Sequence, residues 1–303
     1  MIFKKIDIKE LLQFLGDKVL HVHGSIQDVF IDNLAEVERV NETTLDWINP
    51  SKPNKQEFAE SSKARVLLVD SGILPIGGKT LIVVKNPKVA LAEIGNHFFV
   101  DKPKPGIHPS AMIDTEAKIG KNVSIGPFSV IGKAIIGDNC VIDSHVRIYD
   151  SVVMGHDCII KAGAVLGGAG FGYERDEEGN KFRFPQIGQL VMGDYVEVGA
   201  NTCIDRGALS DTTIGDYTKI NNLCHIAHNN KIGKNVTITG CVNISGSNVI
   251  EDNVWIAPNV SVKGRIHIGE GAVVGMSAVV VKNIPAHEIW VGNPAKKMER
   301  KTK

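Results

Sequence analysis

From Ile214 to Val280 a bulky aliphatic residue recurs every six positions: Ile214, Ile220, Ile226, Ile232, Ile238, Ile244, Ile250, Ile256, Val262, Ile268, Val274 and Val280. Four residues after each comes a second inward position, mostly small or β-branched, as in Val236, Val242, Val254, Val260, Ala272 and Ala278. Polar and turn-forming residues fill the gaps, for example Gly233–Asn235 and Gly269–Gly271. A strict six-residue period of this kind predicts a parallel β-helix, each hexapeptide laying down one short strand and one corner. Three hexapeptides close one triangular coil, so residues roughly eighteen apart stack. The grid begins at Ile107, slips by one residue after Ile131, continues from Ile136 to Leu166, and resumes at Met192, Val198 and Ile204. A four-residue insertion around Gly207–Ser210 precedes Ile214. An alternating β-sandwich does not explain so long a six-residue register.

Two interruptions locate other features. Residues 167–185 leave the grid, and Asp176–Asn180 reads as a turn between two aromatic-bearing arms, so a hairpin is expected to project from the prism. The glycines at its start lack the Lys-Ser/Thr and strand-to-helix setting of a phosphate loop. Before the grid, Ile8–Leu15 has helical spacing ending at Gly16, Val66–Val69 and Thr80–Val84 read as buried strands, and 87–98 as a helix. A small α/β domain over 1–101 is therefore expected, followed by the β-helix over 102–303 through the turn-rich Lys102–Gly106. That first domain fits two roles, a cap on the open end of a solenoid or a substrate-binding module.

Composition narrows the chemistry. The 303 residues contain 34 Lys and Arg against 34 Asp and Glu, which argues against a nucleic-acid partner. No apolar run is long enough to span a membrane, and the first residues lack a secretory core, so a cytoplasmic protein is expected. The five cysteines form no CxxC pair, and Cys140, Cys158 and Cys224 fall on the small inward position, where they read as buried hydrophobes rather than metal ligands or disulfides. In an apolar prism, chemistry belongs at corners. His228 lies two residues past inward Ile226, at an expected corner, and an imidazole suits general-base work near neutral pH. One coil above it falls Gly246, whose exposed N–H would suit an oxyanion. His225 should face outward.

The ordered set Gly170-Phe-Gly-Tyr173, Phe184-Pro-Gln-Ile-Gly188, Gly193–Gly199, Thr202-Cys-Ile-Asp-Arg-Gly-Ala-Leu209 and Ile226-Ala-His-Asn229 closely resembles the UDP-3-O-(3-hydroxyacyl)glucosamine N-acyltransferases of lipid A biosynthesis. The resemblance covers nearly the whole chain. It implies a left-handed β-helix, whereas crossovers between parallel strands are otherwise nearly always right-handed. It also implies a homotrimer with active sites between subunits, a uridine-holding first domain, and transfer of a 3-hydroxyacyl group from acyl carrier protein to the amine of a UDP-glucosamine derivative. On that resemblance His228 is the base and Gly246 the glycine facing the thioester carbonyl; Trp47 and Asn49 fall where uracil is contacted. Phe171 and Tyr173, in the hairpin motif, join them as candidate substrate-binding residues. No permanently bound cofactor or metal is implied; the thioester is a co-substrate. Three features depart from the family. Its second active-site His is replaced by Arg265, a candidate phosphate-binding cation, while His267 occupies a different place. The chain stops soon after Val291–Lys297 without a helical extension, an ending that resembles coenzyme-A-dependent hexapeptide acyltransferases. The solenoid before the hairpin is about one coil shorter. A coenzyme-A-dependent N-acyltransferase of a nucleotide-linked amino sugar for O-antigen or capsule, and a non-catalytic sugar-nucleotide binder, are the alternatives these features leave open.

Overall fold

The computed structural model describes residues 5–101 and 103–299. The chain divides into two compact units, Met1–Lys102 and Pro103–Lys303.

The first unit is built on a four-stranded sheet in the order Val19–His23, Thr80–Val84, Val66–Val69, Leu45–Trp47. The first pair is antiparallel and the other two are parallel. Both central strands are buried throughout, because each face carries its own core. Val66, Leu68, Ile82 and Val84 pack under Ile8, Leu11, Leu15, Ala90 and Ile94. Their neighbours Leu67, Val69, Leu81 and Val83 face the other way, onto Val40, Ile48, Ala59 and Ile73. The period-two alternation thus feeds two apolar layers. The helix Ile8–Leu15 is capped by Asp7, whose Oδ1 accepts the Lys9 N–H at 2.7 Å. The last helix is shorter than its pattern predicts. It runs Pro87–Ile94 and then widens into a π-turn over Gly95–Phe99. The wider turn stacks His97 on Phe14, with ring centroids 4.3 Å apart, and lets Phe98 and Phe99 join the core. Val19–His23, Leu45–Trp47 and the helix Lys55–Ser61 are elements the sequence pattern did not single out.

The second unit is a three-faced parallel β-helix. Its faces are sheets of 11, 9 and 8 strands, all pairing in parallel except the last strand of the first face, Lys296–Lys297. Most strands are two residues long, and the six-residue grid supplies the inward one of each pair. From Ile125 to Val280 these grid positions are buried; at the first coil Ile107 is half exposed. Burial of each such aliphatic side chain contributes roughly 1.5–3 kcal/mol, and the stack forms one continuous core. The corners follow a single rule. At one corner, carboxylates accept the backbone N–H of the coil before them: Asp138 from Lys121, Asp194 from His156 and Asp252 from Lys234, each at 2.7 Å. At most corners one residue lies in the left-handed region whatever its identity. Asn122, Asn139 and Asn235 are ordinary occupants. Tyr195, Tyr217, Leu223 and Arg265, with φ between 57° and 61°, are not. Coil geometry overrides residue preference there.

Two departures from the period shape one corner. A hairpin, Tyr173–Arg175 paired with Lys181–Arg183, leaves the prism after Val165–Gly168. Between the strand Cys203–Asp205 and Thr212–Ile214 the four extra residues form a short loop. That loop folds back on the segment leading from the hairpin: Ile187 N–H donates to Ala208 O at 2.7 Å, and Gly188 N–H to Ala208 O at 2.8 Å.

Candidate functional site

The corner that follows the second face carries three stacked triplets, Ala227–Asn229, Ser245–Ser247 and Lys263–Arg265. They are tied by Ser247 N–H to His228 O at 3.0 Å and Arg265 N–H to Gly246 O at 3.1 Å. His228 is half-buried. Its ring is held in a slot between two glycines. A methyl group on Gly246 would lie 2.8 Å from Cε1 and 3.0 Å from Nε2 of the imidazole. One on Gly170, at the root of the hairpin, would lie 2.8 Å from its Cδ2 and 2.9 Å from its Cβ. Any side chain at either position would displace the ring. Gln186 closes the slot beside Gly170, and its Oε1 is buried without a hydrogen-bond partner among the described residues.

The tautomer of His228 follows from its neighbour. Nδ1 lies 2.8 Å from Asn229 Oδ1. That atom is an oxygen because the other end of the amide donates to the Ser210 carbonyl and hydroxyl, both at 2.8 Å, and because Ala208 N–H donates to it at 3.1 Å. Nδ1 must therefore carry the proton and donate it to Asn229, leaving Nε2 with a free lone pair. Beside it, the Gly246 N–H donates to no backbone carbonyl among the described residues, and the absence of a Cβ on Gly246 lets the imidazole pack directly against this residue. A proton acceptor next to an unoccupied N–H donor is the pair needed when a nucleophile loses a proton while a carbonyl oxygen gains charge.

The other candidates are distributed as follows. Phe171 and Tyr173 lie on the hairpin just beyond Gly170, edge to face with centroids 5.0 Å apart. Tyr173 accepts a hydrogen bond from Arg183 Nη2 at 3.2 Å, and Phe171 is 83% exposed. Arg265 is exposed one coil above Ser247, and among the described residues its guanidinium forms no ion pair. His267 lies on the third face and pairs with Glu251 at 2.8 Å, away from the corner column. Trp47 and Asn49 belong to the first unit, where they line a cleft of about 610 Å³ with Val37, Lys52, Phe58 and Lys63. Sequence reasoning did not assign roles to Asn229, Gly170, Gln186 or Ser210. Asn229 stands directly after His228 in the quoted motif, but its partners come from the insertion.

His225 is exposed, and it has a partner the sequence did not reveal. Its Nε2 lies 3.3 Å from Oδ2 of Asp205, which is largely buried. The hydrogen bond to Asp205, opposed by partial burial, raises the imidazole pKa above its ordinary value. Because the folded-state pKa is raised, the pair stabilises the protein fully below the reference imidazole value of about 6.5. That contribution is lost as pH rises through the raised value. Half exposure of the ring keeps the effect small. Thermal melts across pH should show wild type above His225→Gln in Tm on the acid side, the gap closing as pH rises. A gap independent of pH would remove the ion pair from the account.

Comparisons with known proteins agree with this architecture. The family model of the bacterial transferase hexapeptide (six repeats) matches residues 133–168 and 249–282. UDP-3-O-acylglucosamine N-acyltransferase 1 of Francisella tularensis subsp. holarctica (strain OSU18) is 39% identical over 263 residues, covering 78% of this chain and 75% of its own length. The UDP-3-O-acylglucosamine N-acyltransferase of Pseudomonas syringae pv. tomato (strain ATCC BAA-871 / DC3000) is 37% identical over 297 residues, covering 90% of this chain and 82% of its own length. Among solved structures, the UDP-N-acetylglucosamine O-acyltransferase of Moraxella catarrhalis RH4 is similar with a TM-score of 0.57 and 28% identity, over 63% of this chain and 73% of that one. Among the described residues no helix is long and apolar enough to cross a membrane. With a parallel β-helix, the hexapeptide repeats and relatives at this level of identity over most of its length, the chain belongs to the UDP-3-O-acylglucosamine N-acyltransferase family, a family of acyltransferases.

Proposed function

We propose that this protein transfers a 3-hydroxyacyl group from the thioester of acyl carrier protein to the 2-amino group of a UDP-3-O-acylglucosamine, in lipid A biosynthesis. One observation carries the reading. The His228 ring is fixed in a glycine slot, anchored through Nδ1 on Asn229, with Nε2 free beside the Gly246 N–H. The amine nitrogen attacks the thioester carbon, and the new C–N bond drives the carbonyl electrons onto oxygen. The Gly246 N–H holds that oxyanion. Nε2 takes the proton released by the amine. The C–S bond then breaks, and the imidazolium returns its proton to the departing thiolate. This direct transfer uses neither a metal nor a covalent acyl-enzyme.

The remaining residues have matching roles. Trp47 and Phe58 offer aromatic faces to a uracil, Asn49 an amide to its edge, and Lys52 and Lys63 cations to a diphosphate. Phe171 and Tyr173 give the hairpin an apolar shelf beside the base. Arg265 takes a phosphate, of the sugar nucleotide or of the donor's pantetheine arm. Exposed Ile187, Leu209, Leu223 and Met276 on the second unit suit burial in a closed homotrimer working in the cytoplasm.

Donor choice tests the reading. With one UDP-3-O-acylglucosamine as acceptor, 3-hydroxyacyl carrier protein should give a higher kcat/KM than the same acyl group on coenzyme A. The reverse order would favour the coenzyme-A-dependent enzyme suggested by Val291–Lys297, and binding of the nucleotide sugar with no transfer from either donor would favour a non-catalytic binder. In the same assay Arg265→Ala should raise KM about tenfold or more for one of the two substrates, from the ~1.5–3 kcal/mol that a hydrogen bond to a charged group contributes. Unchanged KM for both would remove Arg265 from the site.

A further inference from the structure

Two asparagines, Asn230 and Asn248, are fully buried in a prism whose inward positions are otherwise aliphatic, cysteine or hydroxyl-bearing, with Thr212 one coil below Asn230. An amide in such a place costs free energy unless every polar atom is satisfied. The corresponding inward position on other coils is aliphatic, as in Val236, Val254 and Ala272, or carries a hydroxyl, as in Thr202 and Thr218. The two amides lie directly behind the corner that holds His228 and Gly246.

Their hydrogen bonds converge on one atom. Asn230 Nδ2 donates to Ala227 O at 2.6 Å and to Ser245 O at 3.1 Å, and its Oδ1 accepts the Asn248 N–H at 3.0 Å. Asn248 Nδ2 donates to the same Ser245 O at 2.5 Å, while its Oδ1 accepts the Ile266 N–H at 2.7 Å. The Ser245 carbonyl and the Gly246 N–H are the two ends of one peptide unit. In a planar trans peptide they point in opposite directions. Two donors that pull the oxygen inward therefore turn the N–H outward, to the glycine face beside His228 Nε2. Polarisation of the carbonyl also makes that N–H a stronger donor.

Stacking of coils does not require this arrangement. Thr218 ties its own coil to the next with a single hydroxyl, donating to Gly233 O at 2.8 Å and accepting the Val236 N–H at 3.1 Å. Asn230 makes the same two links, to Ser245 O and Asn248 N–H. Asn248 is linked to the coil above through its Oδ1, which accepts the Ile266 N–H, but turns its donor back onto its own coil as a second hold on the Ser245 carbonyl. We propose that Asn230 and Asn248 are positioning residues for acyl transfer, which fix the Ser245–Gly246 peptide so that its N–H meets the oxyanion. The inference rests on the reading of His228 and Gly246 as the transfer site.

The test uses side chains that fit the position elsewhere in the prism. Asn230→Val keeps the shape of Val236 but removes the donor to Ser245. Asn230→Thr restores the Thr218 pattern. Thr218→Val breaks the same two links at a corner without the site. In the full-length protein, Asn230→Val should lower kcat about tenfold, less than the ~10²–10³ of losing an oxyanion donor outright, with KM for the nucleotide sugar unchanged. Asn230→Thr should recover most of that loss. Thr218→Val should lower Tm comparably and leave kcat at the wild-type value. Equal kcat in Asn230→Val and Thr218→Val, or no recovery in Asn230→Thr, would overturn the proposal. If Asn230→Val fails to fold, Asn248→Val is compared with Thr218→Val under the same criterion. His228→Ala separates the two levels: wild-type rates in His228→Ala would sink the site itself, whereas an inactive His228→Ala beside fully active asparagine variants would sink only the positioning role.

Discussion

His228→Ala should lower kcat by about 10²–10⁴-fold, the usual worth of a positioned general base, while the protein stays folded. The side chain sits at a half-buried corner outside the apolar core, and among the described residues its one side-chain hydrogen bond is to Asn229. Asn229 keeps its bonds to Ala208 and Ser210 without it. Loss of the ring therefore removes the proton acceptor and little else. Steady-state kinetics with the nucleotide sugar and the thioester, alongside a thermal melt, checks this. His225→Ala is the control: its ring faces outward and pairs with Asp205 rather than entering the slot, so its effect on kcat should be far smaller. Equal losses in the two variants would contradict the assignment.

Gly246→Ala should be nearly as damaging, through geometry rather than missing chemistry. The added methyl would meet Cε1 of His228 at 2.8 Å and Nε2 at 3.0 Å. The ring has nowhere to retreat, because Gly170 closes the opposite side and Nδ1 is bound to Asn229. The methyl also crowds the space in front of the Gly246 N–H. A displaced base and a hindered oxyanion donor together predict a loss of ~10²–10³-fold in kcat. Gly246 does not lie in the left-handed region, so alanine fits its backbone and the variant should fold. Near-normal kcat in a folded Gly246→Ala would show that neither the slot nor the N–H matters to the reaction.

What the sequence allowed differs along the chain for physical reasons. Inward residues such as Ile226 and Ile244 were legible because a β-helix repeats locally, and a six-residue period fixes which side chain faces the axis. Gly246 was found by counting one coil on from His228, across a stretch where the register never slips. Gly170 was not, since it lies on the far side of the hairpin, where the period is lost and no count connects it to His228. Asn229 was visible as a letter but not as an anchor. Its partners Ala208 and Ser210 belong to the insertion, whose path the repeat does not specify. The His225–Asp205 pair spans the same insertion, so the two residues are twenty apart, where the like pair Glu251–His267 in a regular coil is sixteen apart. Arg265 shows the opposite limit: its residue type does not favour a left-handed corner, yet the coil imposes one. In the first unit the helix beginning at Pro87 was recognisable from its local pattern, but its end was set by the packing of Phe14, His97 and Phe98.

The most direct test is product analysis by mass spectrometry. Purified protein is mixed with UDP-3-O-acylglucosamine and 3-hydroxyacyl carrier protein, and product and free thiol are counted together. The account predicts one N-acylated nucleotide sugar for each thiol released, with no acyl group left on the protein and with product formation all but absent in His228→Ala. Thiol release without an N-acylated product, an acylated protein intermediate, or equal N-acylation by His228→Ala would contradict it.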